Sequence, residues 1–159
     1  MIESSAIVSL IQAMLAPGIM ISACGLLLLG MNNKYSTLVN RIRLLDDEKR
    51  KLNIVRLESA LKDYQLIRMG SIILQLGKLA NRVKLVRNAV LAYTIAVGFF
   101  IVSCLSIGLQ YILSENTMFY FALALFLTGM LSVFIGVIVA AMETYRGYEI
   151  VKVELKEEY

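Results

Sequence analysis

The residues best suited to ionic chemistry form a basic cluster, NRIRLLDDEKRKL, at positions 40–52. Its five cations could bind a polyanion or an anionic lipid headgroup, because each cation near an anionic leaflet contributes about 1 kcal/mol to binding. Three acidic residues in the same stretch weaken a polyanion site. A nucleic-acid site would also require aromatic residues or a recognisable fold, so we expect no nucleic-acid partner. We interpret the cluster as a solvated helix end that marks the cytoplasmic side of a membrane.

A second candidate site is an ion pair at the inner membrane surface. Arg41 and Arg43 flank Ile42, so both would lie beside a packed seam if Ile42 faces another helix. Glu143 is the first charged residue after the last long uncharged stretch, and it is our candidate partner for the two arginines. A carboxylate at this level can be a gate, an ion ligand or a helix-end anchor. We favour the anchor or the ion pair.

Four further cations precede the second uncharged stretch, within QLGKLANRVKLVRN: Lys78, Arg82, Lys84 and Arg87. Their aliphatic stems suit side chains that reach from apolar surroundings to anionic lipid headgroups. The spacing predicts lipid contacts, and we favour interface anchoring over a specific lipid site.

Polar residues within the second uncharged stretch could line a water-filled path. Ser103, Ser106 and Gln110 would do so if they face an axis shared between subunits, and they would pack within the subunit if they face the third span. Serine hydroxyls can also bond to carbonyls of their own helix, which is the default interpretation.

Small residues recur every four positions in the third uncharged stretch. Ser132, Gly136 and Ala140 follow this spacing, and Gly129 lies nearby on the same side. Small residues let helices approach closely in lipid, so the pattern predicts a helix interface within or between subunits.

Several kinds of catalytic site lack their usual residues. The chain has no histidine, which removes an imidazole base and the commonest metal ligand. It has no glycine-rich phosphate loop and no Cys-x-x-Cys motif, and Cys24 and Cys104 lie inside uncharged stretches. We therefore expect no enzymatic activity, no cofactor and no metal site. Three spans give no inverted repeat, which argues against a secondary transporter.

The elements that must position these residues are three uncharged stretches, at 6–31, 89–113 and 116–142. The chain has 159 residues, of which 58% are hydrophobic. About 20 apolar helical residues cross a bilayer core, so each stretch is long enough to span a membrane. The sequence predicts an all-α integral membrane protein with three transmembrane helices and a helical cytoplasmic extension between spans one and two.

The predicted organisation has six parts: an N-terminal region with transmembrane helix 1 (1–34, with a kink near 17), a basic cytoplasmic region (35–88), helix 2 (89–113), an external turn (114–117), helix 3 (118–142) and a cytoplasmic tail (143–159). Residues 31–88 hold thirteen of the sixteen Lys and Arg residues and five acids, a net charge of +8. The positive-inside rule therefore places this segment and the tail in the cytoplasm. The N-terminus then lies outside.

Two local features of these helices remain open. Pro17 predicts either a kinked continuous helix or a surface helix over 5–15 followed by a span that begins at Pro17. In the basic segment, apolar residues recur at helical spacing, and we expect breaks at DDEKRKLN and at Gly70 and Ser71. These breaks would leave a separate middle helix over 52–69.

Three stretches carry a resemblance to a known family: LAPGIMISACGLLLLGMNNKYSTLVNRIRLL, QLGKLANRVKLVRNAVL and TGMLSVFIGVIVAAMETYRGYEI. In this order they are similar to the prokaryotic membrane proteins grouped as domain of unknown function 2721. The resemblance covers about residues 15–151, and Gly18 departs from the aliphatic residue that is more usual there. It implies a small three-pass prokaryotic integral membrane protein, with no established activity to transfer. We expect this protein in the cytoplasmic (inner) membrane.

Two functions are compatible with this architecture. Three helices with long basic extensions need partners, so we expect a homo-oligomer that contacts membrane lipids. Its central path could conduct ions through a hydrophobic gate with a basic cytoplasmic vestibule. Alternatively, the protein is a non-conducting scaffold or regulatory subunit that binds a protein partner through its cytoplasmic helices.

Overall fold

The computed structural model contains three long α-helices: α1 (Ile2–Glu58), α2 (Asp63–Leu113) and α3 (Asn116–Glu157). The structure describes the backbone of these ranges and the side chains of residues 7–55, 63–110 and 118–147. Within the described backbone there is no strand. The predicted all-α fold is confirmed.

Helices α1 and α2 are longer than the sequence predicted. α1 continues through DDEKRKLN, and α2 continues through Gly70 and Ser71, so the prediction of a separate middle helix is wrong. In DDEKRK, each of two acids precedes a cation by four residues, a spacing that stabilises a helix. One helical glycine costs about 1 kcal/mol relative to alanine. The nearby burial of Ile72 outweighs that amount.

Helix α1 also continues through Pro17, which is buried. Of the two versions proposed for the N-terminal region, the structure has the continuous helix. Pro17 lacks an N–H donor, but its ring fills a packed position, and that burial offsets part of the lost hydrogen bond.

The helices form two compact units. The first contains Met1–Met31 and Asn88–Val139, and the second contains Asn32–Arg87 and Ala140–Tyr159. These limits lie close to the ends of the uncharged stretches, so the first unit is almost free of charge and the second holds all sixteen Lys and Arg residues.

Buried side chains of the first unit recur at seven-residue intervals. The interval separates Pro17, Cys24 and Met31 on α1, Tyr93 and Phe100 on α2, and Ala122, Gly129 and Gly136 on α3. A seven-residue repeat is typical of helices that pack with a small left-handed crossing, each side chain inserting between residues of the neighbouring helix.

Two glycines of α3 receive two aromatic rings of α2. A Cβ atom at Gly129 would lie 2.7 Å from Cε1 of Phe100, and one at Gly136 would lie 2.6 Å from Cε1 of Tyr93. Both rings are almost fully buried. Each ring therefore occupies the space that a side chain would fill at any residue other than glycine.

Most of the apolar surface of the uncharged stretches faces outward. In the most apolar segments of α1, α2 and α3, only 17%, 28% and 17% of residues are buried. All three helices are long and apolar enough to span a membrane. The chain is therefore a multi-pass membrane protein, in which lipid replaces water around the exposed aliphatic side chains.

The seven-residue repeat is also present in the second unit. Its buried residues are Leu38 and Leu45 on α1, Ile72, Leu79 and Val86 on α2, and Glu143 on α3. Glu143 is the only charged member of this set among the residues whose side chains the structure describes. This carboxylate is the centre of the candidate site.

Candidate ion-pair site

Glu143 is 1% exposed and receives hydrogen bonds from two cations. Arg82 donates to its Oε1 from Nε (3.1 Å) and from Nη2 (2.7 Å). Lys34 donates from Nζ to Oε2 (3.2 Å). Each carboxylate oxygen thus has its own cation, which compensates for the loss of water around a buried charge.

Helix geometry explains why Glu143 faces inward. It follows Gly136 by seven residues and therefore occupies the same position in the repeat as the glycines that receive the aromatic rings. The two cations lie nearer the surface, since the Lys34 side chain is 47% exposed and that of Arg82 is 25% exposed. Both side chains are therefore partly exposed to solvent, while their nitrogens bond to the buried carboxylate.

A groove of about 550 Å³ opens beside these side chains. Its walls include Asn33, Thr37, Thr144 and the three charged residues. Lys34 also donates to Oγ1 of Thr144 (3.0 Å). Lys34, Arg82 and Glu143 together carry a net charge of +1, so the groove favours anions.

The predicted pairing of Glu143 with Arg41 and Arg43 requires correction. Both arginines are exposed, and the structure pairs Glu143 with Lys34 and Arg82 instead. Arg41 lies seven residues beyond Lys34 on α1, about 10 Å along the helix axis. Glu143 was selected because it is the first charged residue after an uncharged stretch. Lys34 holds the same position after the first uncharged stretch, so the same criterion would have identified it from the sequence.

The four cations proposed to contact lipid divide into two groups. Arg82 turns toward Glu143, whereas Lys78, Lys84 and Arg87 are exposed. The prediction grouped all four by their place in the sequence. The structure assigns Arg82 to the ion pair because it lies on the face of α2 that carries Leu79 and Val86.

The three residues proposed to line a pore lie in the first unit. Ser103 is buried and donates from Oγ to the carbonyl of Ala122 on α3 (2.8 Å). Ser106 donates to the carbonyl of Val102 on its own helix (2.9 Å), and Gln110 is half-buried. Their role in a pore stays a prediction, and both serine hydroxyls bond within the subunit.

The small residues of α3 lie at or near its contact with α2. Gly129 and Gly136 receive the aromatic rings, and Ser132 donates from Oγ to the carbonyl of Ala92 (2.8 Å). Ala140 is half-buried, and its carbonyl accepts a hydrogen bond from Thr144. This arrangement places the small-residue face inside the subunit.

A third ion pair joins α1 and α2 within the second unit. Arg68 donates from Nε and Nη2 to the two oxygens of Glu48 (2.8 and 3.0 Å). This bidentate hydrogen bond lowers the pKa of Glu48 and raises the pKa of Arg68. Sequence analysis missed the pair because the residues are twenty positions apart on different helices, so no local pattern relates them.

Within the part of the chain with described side chains, no group of three Cys, Asp or Glu residues could hold a metal ion. The buried carboxylate has both of its oxygens paired with cations.

Fold and site together define a three-helix, multi-pass membrane protein with a buried carboxylate held between two cations. The chain belongs to the family described as "Protein of unknown function (DUF2721)", whose profile matches residues 14–153. The resemblance inferred from the three sequence stretches is confirmed by this match. No curated protein and no solved structure matches the chain.

Proposed function

We propose that this protein is a non-catalytic, non-conducting membrane scaffold that self-associates through its cytoplasmic helices. The observation that carries this proposal is an exposed apolar face on α2, in the second unit. It contains Leu66, Ile67, Ile73 and Leu74, which are 49–75% exposed, together with Gly70 and Gly77. We call this set the α2 stripe.

The α2 stripe lies outside the predicted spans. Gly77 precedes Asn88 by eleven residues, which corresponds to about 16 Å of helix, and Leu66 lies about 33 Å from Asn88. Lipid tails that surround residues 89–113 would not cover side chains at these distances along the helix. Exposed apolar patches of this kind are typical of protein interfaces.

A second copy of the chain is the occupant that fits the α2 stripe. Residues 69–77 carry no charge, although the surrounding segment is strongly basic, so two copies could meet here with little repulsion. A Cβ atom at Gly70 or Gly77 would have no neighbour within 4 Å, so each glycine leaves a shallow gap between large aliphatic side chains. Two such surfaces offer both projecting side chains and gaps to receive them.

The hydrogen bonds of the serines support the non-conducting part of the proposal. Ser103 bonds to α3 and Ser106 bonds to its own helix, so these hydroxyls have partners without water. The outward hydroxyls of Thr94 and Thr128 likewise bond to carbonyls four residues earlier. With their O–H donors engaged in this way, these hydroxyls have no donor left for an anion or for water in a conducting path.

Self-association can be tested by native mass spectrometry of the protein in mild detergent. We expect an oligomer for the wild-type chain and monomers for the double variant Ile67→Glu/Leu74→Glu, because burying two carboxylates in the interface is unfavourable. Leu44→Glu, at an exposed apolar position on α1, is the matched control and should remain oligomeric. A monomeric wild-type protein would overturn the proposal.

The pore hypothesis is tested on the same preparation in planar bilayers. We expect no unitary currents from the intact oligomer. Reproducible currents that Gln110→Leu abolishes, with assembly unchanged, would establish a conducting path and overturn the assignment as a non-conducting scaffold.

A further inference from the structure

The groove beside Glu143 retains hydrogen-bond donors after the ion pair is complete. Lys34 has three N–H groups and donates two of them, to Glu143 and Thr144. Arg82 has five and donates two of them to Glu143. One N–H of Lys34 and three of Arg82 remain beyond these bonds, and the charges of Lys34, Arg82 and Glu143 sum to +1.

We propose that this groove binds the phosphate ester of an anionic phospholipid headgroup, with Lys34 and Arg82 as its cationic donors and Asn33 as a neutral donor. Glu143 is the only acidic side chain among the described residues that line the groove, and both of its oxygens already accept hydrogen bonds. The guanidinium group is planar and presents paired N–H groups, a geometry that matches phosphate oxygens.

The hydroxyls of the groove add little donor capacity of their own. Thr37 donates to the carbonyl of Asn33 (3.0 Å), and Thr144 donates to the carbonyl of Ala140 (3.1 Å). Both donors are engaged within their own helices. An anion in this groove would therefore depend on the charged donors, which predicts a large effect from removing one cation.

Position along the chain favours a lipid as the source of the phosphate. Lys34 and Glu143 are the first charges after uncharged stretches one and three, and Arg82 precedes the second stretch by seven residues. Groove residues on all three helices thus lie a few residues from a predicted span, at the level of lipid headgroups. The volume of about 550 Å³ suits a headgroup, since small-molecule sites commonly measure about 300–1,000 Å³.

The test is a titration of the purified full chain with phosphatidylglycerol in neutral detergent, with bound lipid counted by native mass spectrometry. We expect Lys34→Met to weaken binding about tenfold, since it removes one charge-assisted hydrogen bond. Lys84→Met removes an exposed cation close to Arg82 in sequence and is the matched control. Equal losses in the two variants would indicate general attraction to basic residues and would overturn the site.

A second variant addresses the risk that Lys34→Met disturbs the fold. Thr37→Phe keeps every charge and places a large ring at an exposed position on the groove wall. We expect this ring to block the groove and reduce phosphatidylglycerol binding while thermal unfolding stays unchanged. Full binding by a folded Thr37→Phe protein would contradict the proposal.

Two further arms identify the source of the phosphate. Diacylglycerol has the same tails without a phosphate and should not bind the groove. If sn-glycerol 3-phosphate displaces phosphatidylglycerol at equal concentration, the phosphate-ester site stands but its ligand is soluble. None of these outcomes tests the scaffold proposal, because the α2 stripe contains none of the groove residues.

Discussion

At the scale of single residues, the decisive feature is the buried carboxylate of Glu143. A buried charge is tolerated only when it is paired and hydrogen-bonded. Lys34 and Arg82 supply the opposite charge and the hydrogen bonds that Glu143 requires. The Glu48–Arg68 pair has good bidentate geometry, but its side chains are 40% and 49% exposed. Exposed pairs contribute little to stability because water screens them.

Glu143→Gln should destabilise the fold by about 2 kcal/mol, less than the 3–5 kcal/mol typical of breaking a fully buried pair, because both cations can reach water. The measurement is thermal unfolding in detergent. Glu48→Gln is the control and should change the melting temperature much less. Equal shifts for the two variants would mean that burial does not distinguish the two carboxylates.

Acid should release Arg68 from Glu48. The pairing lowers the pKa of Glu48, so its contribution to stability is present above the unfolded-state pKa and disappears as pH falls through the lowered one. The Glu48→Gln variant should therefore lose less stability than the wild-type protein across that acidic range. Parallel pH profiles of melting temperature for the two proteins would contradict this assignment.

At the scale of the helices, the seven-residue repeat and the glycine–aromatic contacts set how α2 and α3 pack. Tyr93 and Phe100 are seven residues apart, as are Gly136 and Gly129, so each ring meets its own glycine in an antiparallel pair. The contact is close because no side chain lies between the ring and the helix backbone. In the second unit, Gly147 is also approached closely, since a Cβ atom there would lie 2.8 Å from Nη2 of Arg82.

Gly136→Ala should destabilise the first unit by about 2 kcal/mol, since the added methyl group overlaps a buried ring that cannot move without repacking. Gly98→Ala is the matched control, because its Cβ atom would meet nothing within 4 Å. Thermal unfolding of the two variants measures the difference. If Gly136→Ala were as stable as Gly98→Ala, the ring would have room that the structure does not show.

At the scale of the whole molecule, the predictions concern charge and orientation. The segment 31–88 has a net charge of +8, and the positive-inside rule therefore predicts that it lies in the cytoplasm. The same rule predicts that the N-terminus and residues 114–117 lie outside. This orientation also determines which leaflet would supply a lipid to the groove.

Single cysteines test the orientation in a background with Cys24→Ala and Cys104→Ala. We expect a membrane-impermeant maleimide to label Thr117→Cys in intact cells and Arg50→Cys only after the cells are opened. Each variant serves as the control for the other. The reverse pattern would overturn the inferred topology.

The sequence by itself determined the three apolar helices, the all-α class and the family. Long uncharged stretches can satisfy their backbone in lipid only as helices, so composition and length were enough. It also indicated that Glu143 would be paired and that the glycines of α3 would pack against a helix. These inferences needed only the position of a residue along one helix.

Only the tertiary structure decided which residues meet. The choice of Lys34 and Arg82 over Arg41 and Arg43 depends on the relative register of three helices, which no local pattern encodes. The same holds for Ser103, whose hydroxyl bonds to the carbonyl of Ala122 on α3. The sequence predicted breaks in α1 and α2 that the structure does not have, for a related reason. Packing between the helices outweighs the weak tendency of glycine to end a helix. Contacts between distant residues arise from packing energies summed over whole helices, and these exist only once the helices are assembled.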